Sequence, residues 1–390
     1  MHVDDSTTLL AALESVGARI VLVSTGGGSL AIPTLLTAPG ASAIVVEALV
    51  PYAREAVDRL LGGPQEAYCS SRTCRRLAMA AWQRACDLGV APDRATGLAV
   101  TAALRSRAAK RGDHRVIVAL QTLAATTCVD VTLAKGERSR LEEEELAAAL
   151  ALDALAAEYG APDGRAGRLL RADESPRRRR TDAAPEWREL FSGTRRAVPG
   201  SAACGTEPKA GALVFPGSFD PLHAGHRLMA RIAEEVAERR VEWELSVTNV
   251  DKPALDFIEI GGRAAQFTAD ASLEDPQPLW LTRAPTFLEK LAVFPAATFV
   301  MGADTYVRLA DPRYYGGSTA AAAAAVDTIA REARGLIVFG RVRDGEFQDA
   351  ARLDVPQPLR DVTYFVSQRE FRLDISSTEL RREAATKTVD

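Results

Sequence analysis

Residues 215–226 constrain the fold of this chain more than any other stretch. The apolar residues 212–214 before it are typical of a buried strand, and residues 227–236 after it have the apolar period of an amphipathic helix. His223 and His226, two of the four histidines in the chain, lie at the predicted start of this helix. The stretch is therefore predicted to be the turn of a strand–turn–helix unit, with both imidazoles where the helix begins.

The start of that helix is a favourable place for a phosphate group. Free backbone N–H groups and the positive end of the helix dipole both attract an anion there. His223 and His226 lie about one helical turn apart, so both imidazoles can face the same anion. Gly217, Ser218 and Phe219 precede them in the turn, and we expect these residues to bind substrate. The alternative is a chance pair of histidines in a loop.

The sequence His223-Ala224-Gly225-His226 resembles the HxGH motif of the nucleotidylyltransferase superfamily. The resemblance implies a Rossmann-like domain with a parallel sheet over residues 211–390. It also implies that His223 and His226 are catalytic. In that role they steady the phosphates of a nucleoside triphosphate while a second phosphate attacks.

A second stretch, residues 374–382, is similar to the other signature of the superfamily, Ile-Ser-Ser-Thr-x-x-Arg. The resemblance implies that Ser376, Ser377 and Thr378 bind the β and γ phosphates. It also makes Arg381 a catalytic residue, one turn into a helix. Taken alone, the stretch is also compatible with an ordinary Ser-x-x-Glu capping box.

Four further positions are predicted to bind substrate. Lys252 lies in the loop after the second strand, where superfamily members often carry a cation near phosphate; a plain surface lysine is the alternative. Gly302 and Asp304 follow a strand, and Thr286 begins a helix. Both patterns resemble nicotinamide mononucleotide adenylyltransferases, in which the aspartate helps to hold the nucleotide. Trp280 either stacks on a pyridine ring or packs in the core.

The resemblance predicts adenylyl transfer from ATP to nicotinamide or nicotinate mononucleotide, with release of pyrophosphate. Mg²⁺ is expected to enter with ATP, held mainly by the substrate phosphates. The attacking group is a phosphate of the second substrate, so catalysis requires in-line positioning and neutralisation of the charge on the leaving pyrophosphate. Two alternatives stay open: a phosphopantetheine-like acceptor, or a non-catalytic nucleotide-binding regulatory protein.

The first 160 residues show a separate α/β pattern, in which strands and helices alternate before strands cluster. A predicted strand, residues 18–23, precedes a glycine-rich loop, residues 24–29, whose amides could cradle an anion. This half resembles the CinA C-terminal domain, whose enzymatic members are nicotinamide-nucleotide amidohydrolases. The resemblance makes a second candidate site of Ser24, Thr25, Gly26, Gly27, Tyr52 and Thr101.

Two departures from that family argue against a retained amidohydrolase. The position of the nucleophilic serine is Val23 when the chain is aligned on its Thr-Gly-Gly loop, and Thr25 when it is aligned on Pro39. The lysine that the family carries five residues after the tyrosine is Val57 here. A hydroxyl nucleophile without this cation loses its expected activator. We therefore predict a domain for nucleotide binding, dimerisation or regulation, with an active amidohydrolase as the alternative.

Residues 161–210 are predicted to be a mobile linker, because they carry turn residues and a basic run at residues 177–180. The run could bind nucleic acid or polyphosphate, although a solvated charge cluster is the commoner reading. The predicted order is thus a CinA-like domain over residues 1–160, a linker, and a nucleotidylyltransferase domain over residues 211–390.

Composition limits the partners. A net charge of −4 does not indicate a nucleic-acid partner, and no apolar stretch is long enough to predict a membrane span. The acidic N-terminus lacks the pattern of a signal peptide. Five scattered cysteines are typical of reduced thiols and predict no protein-bound metal. We expect a cytoplasmic protein that forms a homo-oligomer through its CinA-like domain.

Overall fold

The computed structural model describes residues 3–107, 111–162, 164–268, 277–343 and 346–371. These residues form two compact units. The first comprises the chain up to Ser192 together with Asp251–Glu259, and the second comprises Gly193–Val250 together with the residues from Ile260 onwards.

The first unit is built on one sheet with helices packed against it. Its strands are β1 Arg19–Thr25, β2 Val45–Leu49, β3 Ala95–Ala103, β4 His114–Gln121, β5 Ala125–Leu133 and β6 Arg177–Asp182. Its helices are α1 Val3–Ser15, α2 Ala31–Leu36, α3 Ala41–Ile44, α4 Arg54–Leu61, α5 Ser71–Asp87, α6 Arg140–Glu158 and α7 Pro185–Ser192, with a 3₁₀ turn at Ala166–Arg168.

The strand order of this sheet is β2-β1-β3-β4-β5-β6. Strand β1 runs parallel to β2 and β3, and β3 to β6 are antiparallel to their neighbours. Helix α6 packs in one core with Leu98 and Val100 of β3. The thiol of Cys74 on α5 donates to the carbonyl oxygen of Ala99, which lies between Leu98 and Val100 along β3. Because successive side chains of β3 point to opposite faces of the sheet, α5 and α6 contact different residues of this strand.

The segment predicted as a mobile linker contains regular secondary structure, namely β6, α7, β7 (Ala197–Pro199) and a 3₁₀ turn. The basic run lies in β6, which pairs antiparallel with β5 and forms the edge of the first sheet. Its arginine side chains are exposed, and charged side chains on an edge strand discourage pairing with other chains. Helix α7 follows, with Leu190 and Phe191 buried. The prediction missed β6 because four successive arginines carry no apolar alternation.

The second unit contains a larger sheet and a two-stranded ribbon. Its strands are β7 Ala197–Pro199, β8 Leu213–Pro216, β9 Val241–Ser246, β10 Leu279–Thr282, β11 Thr298–Gly302, β12 Gly335–Phe339, β13 Arg341–Arg343, β14 Glu346–Gln348 and β15 Thr363–Val366. The helices in this part of the chain are α8 Ala224–Ala237, α9 Phe257–Ala265, α10 Phe287–Val293, α11 Ala303–Arg308, α12 Thr319–Glu332 and α13 Gln357–Asp361, with 3₁₀ turns at Pro312–Tyr315 and Ala350–Arg352.

The large sheet has the order β15-β12-β11-β8-β9-β10-β7. All its pairings are parallel except that of β7 with β10. From β8 the chain builds outward through β9 and β10, then returns to the other side of β8 and builds outward again from β11. The order reverses between β8 and β11, which is the switch point where open α/β sheets bind ligands. The predicted Rossmann-like parallel sheet is confirmed.

Helices that are both long and apolar enough to span a bilayer are not found among the described residues.

Candidate functional site

The histidine motif lies at the switch point of the second sheet. Strand β8 ends at Pro216, and α8 begins at Ala224 directly after His223. His223 has the extended backbone of an N-cap residue, with φ −137° and ψ 171°, and His226 lies in the first turn. The predicted strand–turn–helix unit, with both imidazoles at the helix start, is confirmed.

The two imidazoles stack on each other. Their ring centroids are 3.7 Å apart, with 23° between the planes. The backbone N–H of His223 donates to Nδ1 of His226 at 3.3 Å. Because a backbone N–H can only donate, Nδ1 of His226 must accept, which leaves Nε2 of the neutral ring with the proton.

Burial keeps this pair neutral. Burial, and secondarily the neighbouring ring of His223, lower the pKa of His226 from 6.5 to about 3. Burial also lowers the pKa of His223. At neutral pH both rings are therefore hydrogen-bonding groups rather than cations until an anion comes close.

The glycine of the motif allows the rings to stack. A Cβ on Gly225 would lie 3.0 Å from both Cε1 and Nδ1 of His223. Real Cβ contacts are rarely so close, so any larger residue would push the His223 ring away from His226. The requirement at this position is steric, since Gly225 lies in α8 and its backbone is helical.

Phe219 has a different role from the one predicted. Its side chain is fully buried, and its ring meets His226 edge-on at 5.3 Å within an aromatic cluster that includes Phe215 and Trp243. A buried ring cannot contact a substrate, so the Phe219 ring instead packs against the ring of His226 inside the core. A Cβ on Gly217 would lie 2.5 Å from this ring, which explains the glycine there, whereas Ser218 is exposed.

Two residues that no sequence motif indicates hold the backbone of the histidine loop. Arg263 Nη1 donates to the carbonyl oxygen of Ser218 at 2.9 Å. Gln266 Nε2 donates to the carbonyl oxygen of Phe219 at 3.2 Å, and its Oε1 accepts from the backbone N–H of Leu222 at 2.7 Å. No motif marks these positions, because each bonds the backbone of the loop across more than 40 residues.

Gly302 and Asp304 lie at the other side of the switch point. Gly302 ends β11 and is the N-cap of α11, and Asp304 is in the first turn of that helix. Strands β8 and β11 are hydrogen-bonded neighbours, and α8 contacts β11. The fold therefore places the starts of α8 and α11 at one edge of the sheet, as the sequence predicted for strand ends.

Thr286 is the N-cap of α10, where its hydroxyl accepts from the backbone N–H of Glu289. Trp280 is a core residue: it is buried, packs against Phe294 and donates Nε1–H to Glu242 at 2.6 Å. The core interpretation of Trp280 is thus correct, and stacking on a pyridine ring is excluded.

The loop around Lys252 belongs to the first unit, not to the unit that contains the histidines. A Cβ on Gly62, at the end of α4, would lie 1.5 Å from the carbonyl oxygen of Asp251, so this segment packs directly on α4. The predicted contact of Lys252 with phosphate stays a prediction. The sequence offered no sign that these residues would leave the domain in which they are encoded.

Four predicted site residues, Ser376, Ser377, Thr378 and Arg381, lie outside the described residues, so the second signature stays a prediction from the sequence. Within the described residues, no group of three or more His, Cys, Asp or Glu side chains could hold a metal ion.

The glycine-rich loop of the first unit is packed rather than open. A Cβ on Gly26 would lie 2.1 Å from the carbonyl oxygen of Ala102, and one on Gly27 would lie 2.5 Å from Leu104. Ser24 is buried, and its hydroxyl donates to the carbonyl oxygen of Gly27 at 3.0 Å. Close packing against β3 accounts for these glycines.

A carboxylate of the protein already accepts a hydrogen bond from one backbone amide of this loop. Oε1 of Glu144 on α6 accepts from the backbone N–H of Ser29 at 2.6 Å and from its hydroxyl at 2.8 Å. Arg140 pairs with the other oxygen of Glu144 at 2.7 Å and donates to the carbonyl oxygen of Gly26. In this loop, which is predicted to bind an anion through its amides, the Ser29 amide thus binds a carboxylate of the protein itself.

Four of the six predicted residues in the first unit line one cavity of about 240 Å³, namely Thr25, Gly26, Tyr52 and Thr101. The Thr101 hydroxyl donates to the carbonyl oxygen of Tyr68 at 3.0 Å, and Tyr52 is 71% exposed. Burial raises the pKa of Cys69, a thiol in the lining, so it stays protonated. The described lining also has three arginines and no carboxylate: Arg54, Arg105 and Arg140. Such a lining suits an anion and offers no base to activate a nucleophile.

Different known proteins are similar to the two parts of the chain. Residues 214–383 match the family model described as cytidylyltransferase-like. Among the curated proteins compared, none matches the chain.

Solved structures similar to this chain include CinA superfamily proteins, which cover its N-terminal 40%. A CinA superfamily protein from Klebsiella pneumoniae is 14% identical with a TM-score of 0.34, and the match covers 40% of this chain and 97% of that one. A protein of the same superfamily from Enterobacter cloacae is 17% identical with a TM-score of 0.35, covering 40% and 91%. A competence/damage inducible protein from Agrobacterium tumefaciens is 20% identical with a TM-score of 0.33, covering 40% and 93%.

Residues 214–383 are thus similar to a cytidylyltransferase-like domain, and the solved structures similar to the first part of the chain are CinA superfamily proteins, in agreement with the predicted fusion.

Proposed function

We propose that the second unit transfers an adenylyl group from ATP to nicotinamide or nicotinate mononucleotide and releases pyrophosphate. The observation that carries this proposal is the neutral, stacked pair His223 and His226 at the start of α8, at the switch point of a parallel sheet. A cytidylyltransferase-like domain supports nucleotidyl transfer as the reaction class.

The geometry suits stabilisation of phosphate oxygens. The proton of His226 is on Nε2, so this atom donates toward an incoming anion, and α8 adds its free N–H groups and dipole. As the acceptor phosphate bonds to the α phosphorus, the bond to pyrophosphate breaks and negative charge grows on the leaving group. Donors fixed in advance stabilise that charge without reorganisation. Mg²⁺ bound to ATP as part of the substrate would neutralise further charge.

The choice of a pyridine mononucleotide rests on sequence resemblance. Gly302, Asp304 and the helix start at Thr286 occupy positions that resemble nicotinamide mononucleotide adenylyltransferases, and Asp304 lies across the switch point from the histidines. The first half of the chain also resembles a domain whose enzymatic members act on the same mononucleotide. A phosphopantetheine-like acceptor is the second candidate, since it needs the same phosphate chemistry.

For the first unit we propose binding of an anionic ligand without hydrolysis. Its cavity has arginines and a protonated thiol, and Glu144 already occupies the Ser29 amide. Deamidation of the mononucleotide is therefore not expected.

The test measures two products separately. The full chain is incubated with ATP, Mg²⁺ and each mononucleotide or phosphopantetheine, and pyrophosphate and ammonia are assayed. We expect pyrophosphate with one pyridine mononucleotide and no ammonia. Pyrophosphate released only with phosphopantetheine would mean that phosphopantetheine, not a pyridine mononucleotide, is the acceptor. Release of ammonia would show that the first unit is an active amidohydrolase. ATP binding without either product would indicate a regulatory protein.

A further inference from the structure

A fully buried carboxylate lies on the strand next to the histidine turn. Glu244 on β9 pairs in register with Pro216, the last residue of β8, and its side chain has no exposed surface. Its backbone oxygen accepts from the N–H of Gly217, where the histidine turn begins, at 3.0 Å. The preceding residue Trp243 stacks on Phe215 in the aromatic cluster that packs against His226. Because side chains alternate along a strand, the carboxylate of Glu244 lies on the opposite face of the sheet.

Lys290 on α10 pairs with this carboxylate inside the core. Its Nζ lies 2.7 Å from Oε2 and 2.9 Å from Oε1 of Glu244, and its side chain is 6% exposed. Nζ also donates to the carbonyl oxygen of Ala284 at 2.8 Å. These three acceptors match the three N–H donors of an ammonium group. The hydroxyl of Thr282 donates to Oε1 of Glu244 as a further partner.

The network surrounds the short connection between β10 and α10. Ala284 is buried and lies between Thr282, the last residue of β10, and Thr286, the N-cap of α10. The backbone N–H of Lys290 donates to the carbonyl oxygen of Thr286 at 3.0 Å. Strands β8, β9 and β10 are parallel neighbours, so this connection and the histidine turn lie at the same edge of the sheet. The buried pair thus fixes where α10 begins at that edge.

Stability alone does not account for this ion pair. Desolvation of two charges is costly, and apolar side chains of similar volume often stabilise a core as well as a buried pair does. Apolar side chains cannot, however, donate to the carbonyl oxygen of Ala284, and a buried carbonyl oxygen requires a donor. The pair therefore holds one conformation of the connection that an apolar core would not hold.

We propose that Glu244 and Lys290 are positioning residues for the acceptor side of the active site. Their pair holds the start of α10, and with it Thr286, where the acceptor mononucleotide binds. The inference rests on the proposed function, in which the histidines bind the triphosphate and the Thr286 region binds the acceptor. The pair should therefore set the affinity for the mononucleotide and leave that for ATP unchanged.

The test replaces the polar network in the full chain by apolar side chains of similar size. One variant combines Glu244→Met, Thr282→Val and Lys290→Met. The matched control, Arg331→Met with Glu332→Met, removes an exposed ion pair of α12 in the same unit. Calorimetry measures the dissociation constants of ATP and of each pyridine mononucleotide. Thermal unfolding checks the fold, and amide hydrogen exchange reports on the start of α10.

We expect the dissociation constant of the accepted mononucleotide to rise about tenfold in the triple variant, because small displacements of a binding group are costly. The dissociation constant of ATP and the unfolding temperature should stay near those of the unchanged chain. Amides in the first turn of α10 should exchange faster, since local opening becomes easier once the Ala284 carbonyl is released. The control should match the unchanged chain in all four measurements.

Unchanged mononucleotide affinity in the folded triple variant would refute the positioning role, and so would equal losses of affinity for both ligands. Glu244→Gln is a second test in case the triple variant does not fold. It keeps an acceptor for Thr282 but removes the charge that faces Lys290, so a smaller rise of the same dissociation constant is expected. No rise in folded Glu244→Gln would also count against the proposal.

Hydrogen exchange separates this inference from the proposed function, because it needs neither ligand nor catalysis. Faster exchange at the start of α10, in a chain whose unchanged form binds neither mononucleotide, would keep the pair as the anchor of α10 and remove only the proposed acceptor. Unchanged exchange in the folded triple variant would refute the anchor whatever the substrate is.

Discussion

Each unit contains a glycine-bearing loop between a strand of its sheet and a helix, and the two loops differ in what their polar groups bind. In the first unit the glycines pack against β3, and Glu144 accepts the Ser29 amide. In the second, Arg263 and Gln266 hold the loop mainly through carbonyl oxygens, and the imidazoles lie at the start of a helix of 14 residues. A glycine-rich turn before a helix therefore does not establish an anion site. The side chains at the helix start matter more, because internal acceptors bind amides in both loops: Glu144 at Ser29, Gln266 at Leu222 and His226 at His223.

The largest effect that separates the two loops is expected for His226→Ala. Removal of Nε2–H should lower kcat for pyrophosphate release by about 10²- to 10³-fold, since one preorganised donor to a developing anion is worth that much. Steady-state kinetics with ATP and the accepted mononucleotide measure it. Thr25→Ala in the cavity of the first unit is the control and should leave pyrophosphate release unchanged. Undiminished turnover in His226→Ala would end the assignment of the histidine site.

Two glycine substitutions test the same difference sterically. Gly26→Ala would place Cβ 2.1 Å from a backbone oxygen at φ +75°, and should lower the free energy of unfolding of the first unit by about 2–4 kcal/mol. Gly225→Ala has helical backbone and meets only the His223 ring, so it should cost about tenfold in pyrophosphate release with little loss of stability. Denaturant unfolding and kinetics on both variants check this. Equal losses of stability would contradict the functional role of Gly225.

The histidine pair should also make stability depend on pH. The pKa of His226 is about 3 in the folded chain and 6.5 ordinarily, so the unfolded chain binds more protons between these values. Stability should therefore fall as pH falls from about 6.5, by at most about 1.4 kcal/mol per pH unit from this group. Thermal unfolding between pH 7.5 and 5 measures the slope. His226→Ala should reduce the slope without abolishing it, because burial also lowers the pKa of His223. An identical slope in both proteins would disprove burial of a neutral His226.

The smallest effect is expected for Glu144→Gln. The amide keeps an acceptor for Ser29 but loses the charge that pairs with Arg140, so the first unit should be destabilised by about 1–2 kcal/mol. Denaturant unfolding measures this, with Glu145→Gln on the same helix as the matched control. Pyrophosphate release should not change. A strong loss of turnover in Glu144→Gln would show that the loop of the first unit takes part in the reaction.

Local patterns predicted much of the fold and part of the site. The strand–turn–helix around His223 and His226 follows from apolar periodicity and from the turn residues between them. The N-cap of α10 at Thr286 and the strand end at Gly302 were predicted for the same reason. Each of these features depends on residues within about one turn of each other, where sequence spacing fixes the geometry.

Contacts between residues distant in the sequence decided the rest. No spacing rule indicates that Arg75 pairs with Asp256, that the loop around Lys252 belongs to the first unit, or that Glu144 binds the Ser29 amide. The same holds for Phe219, whose ring is buried under His226, and for the arginine run, which is an edge strand.

The sequence by itself thus determined the reaction class suggested by the histidine motif and the presence of two α/β parts. The tertiary structure decided that a carboxylate of the chain itself binds the Ser29 amide of the first loop, since Glu144 lies more than 100 residues away in the sequence. It also decided that the histidine pair is neutral, because burial by the aromatic cluster sets the pKa of His226.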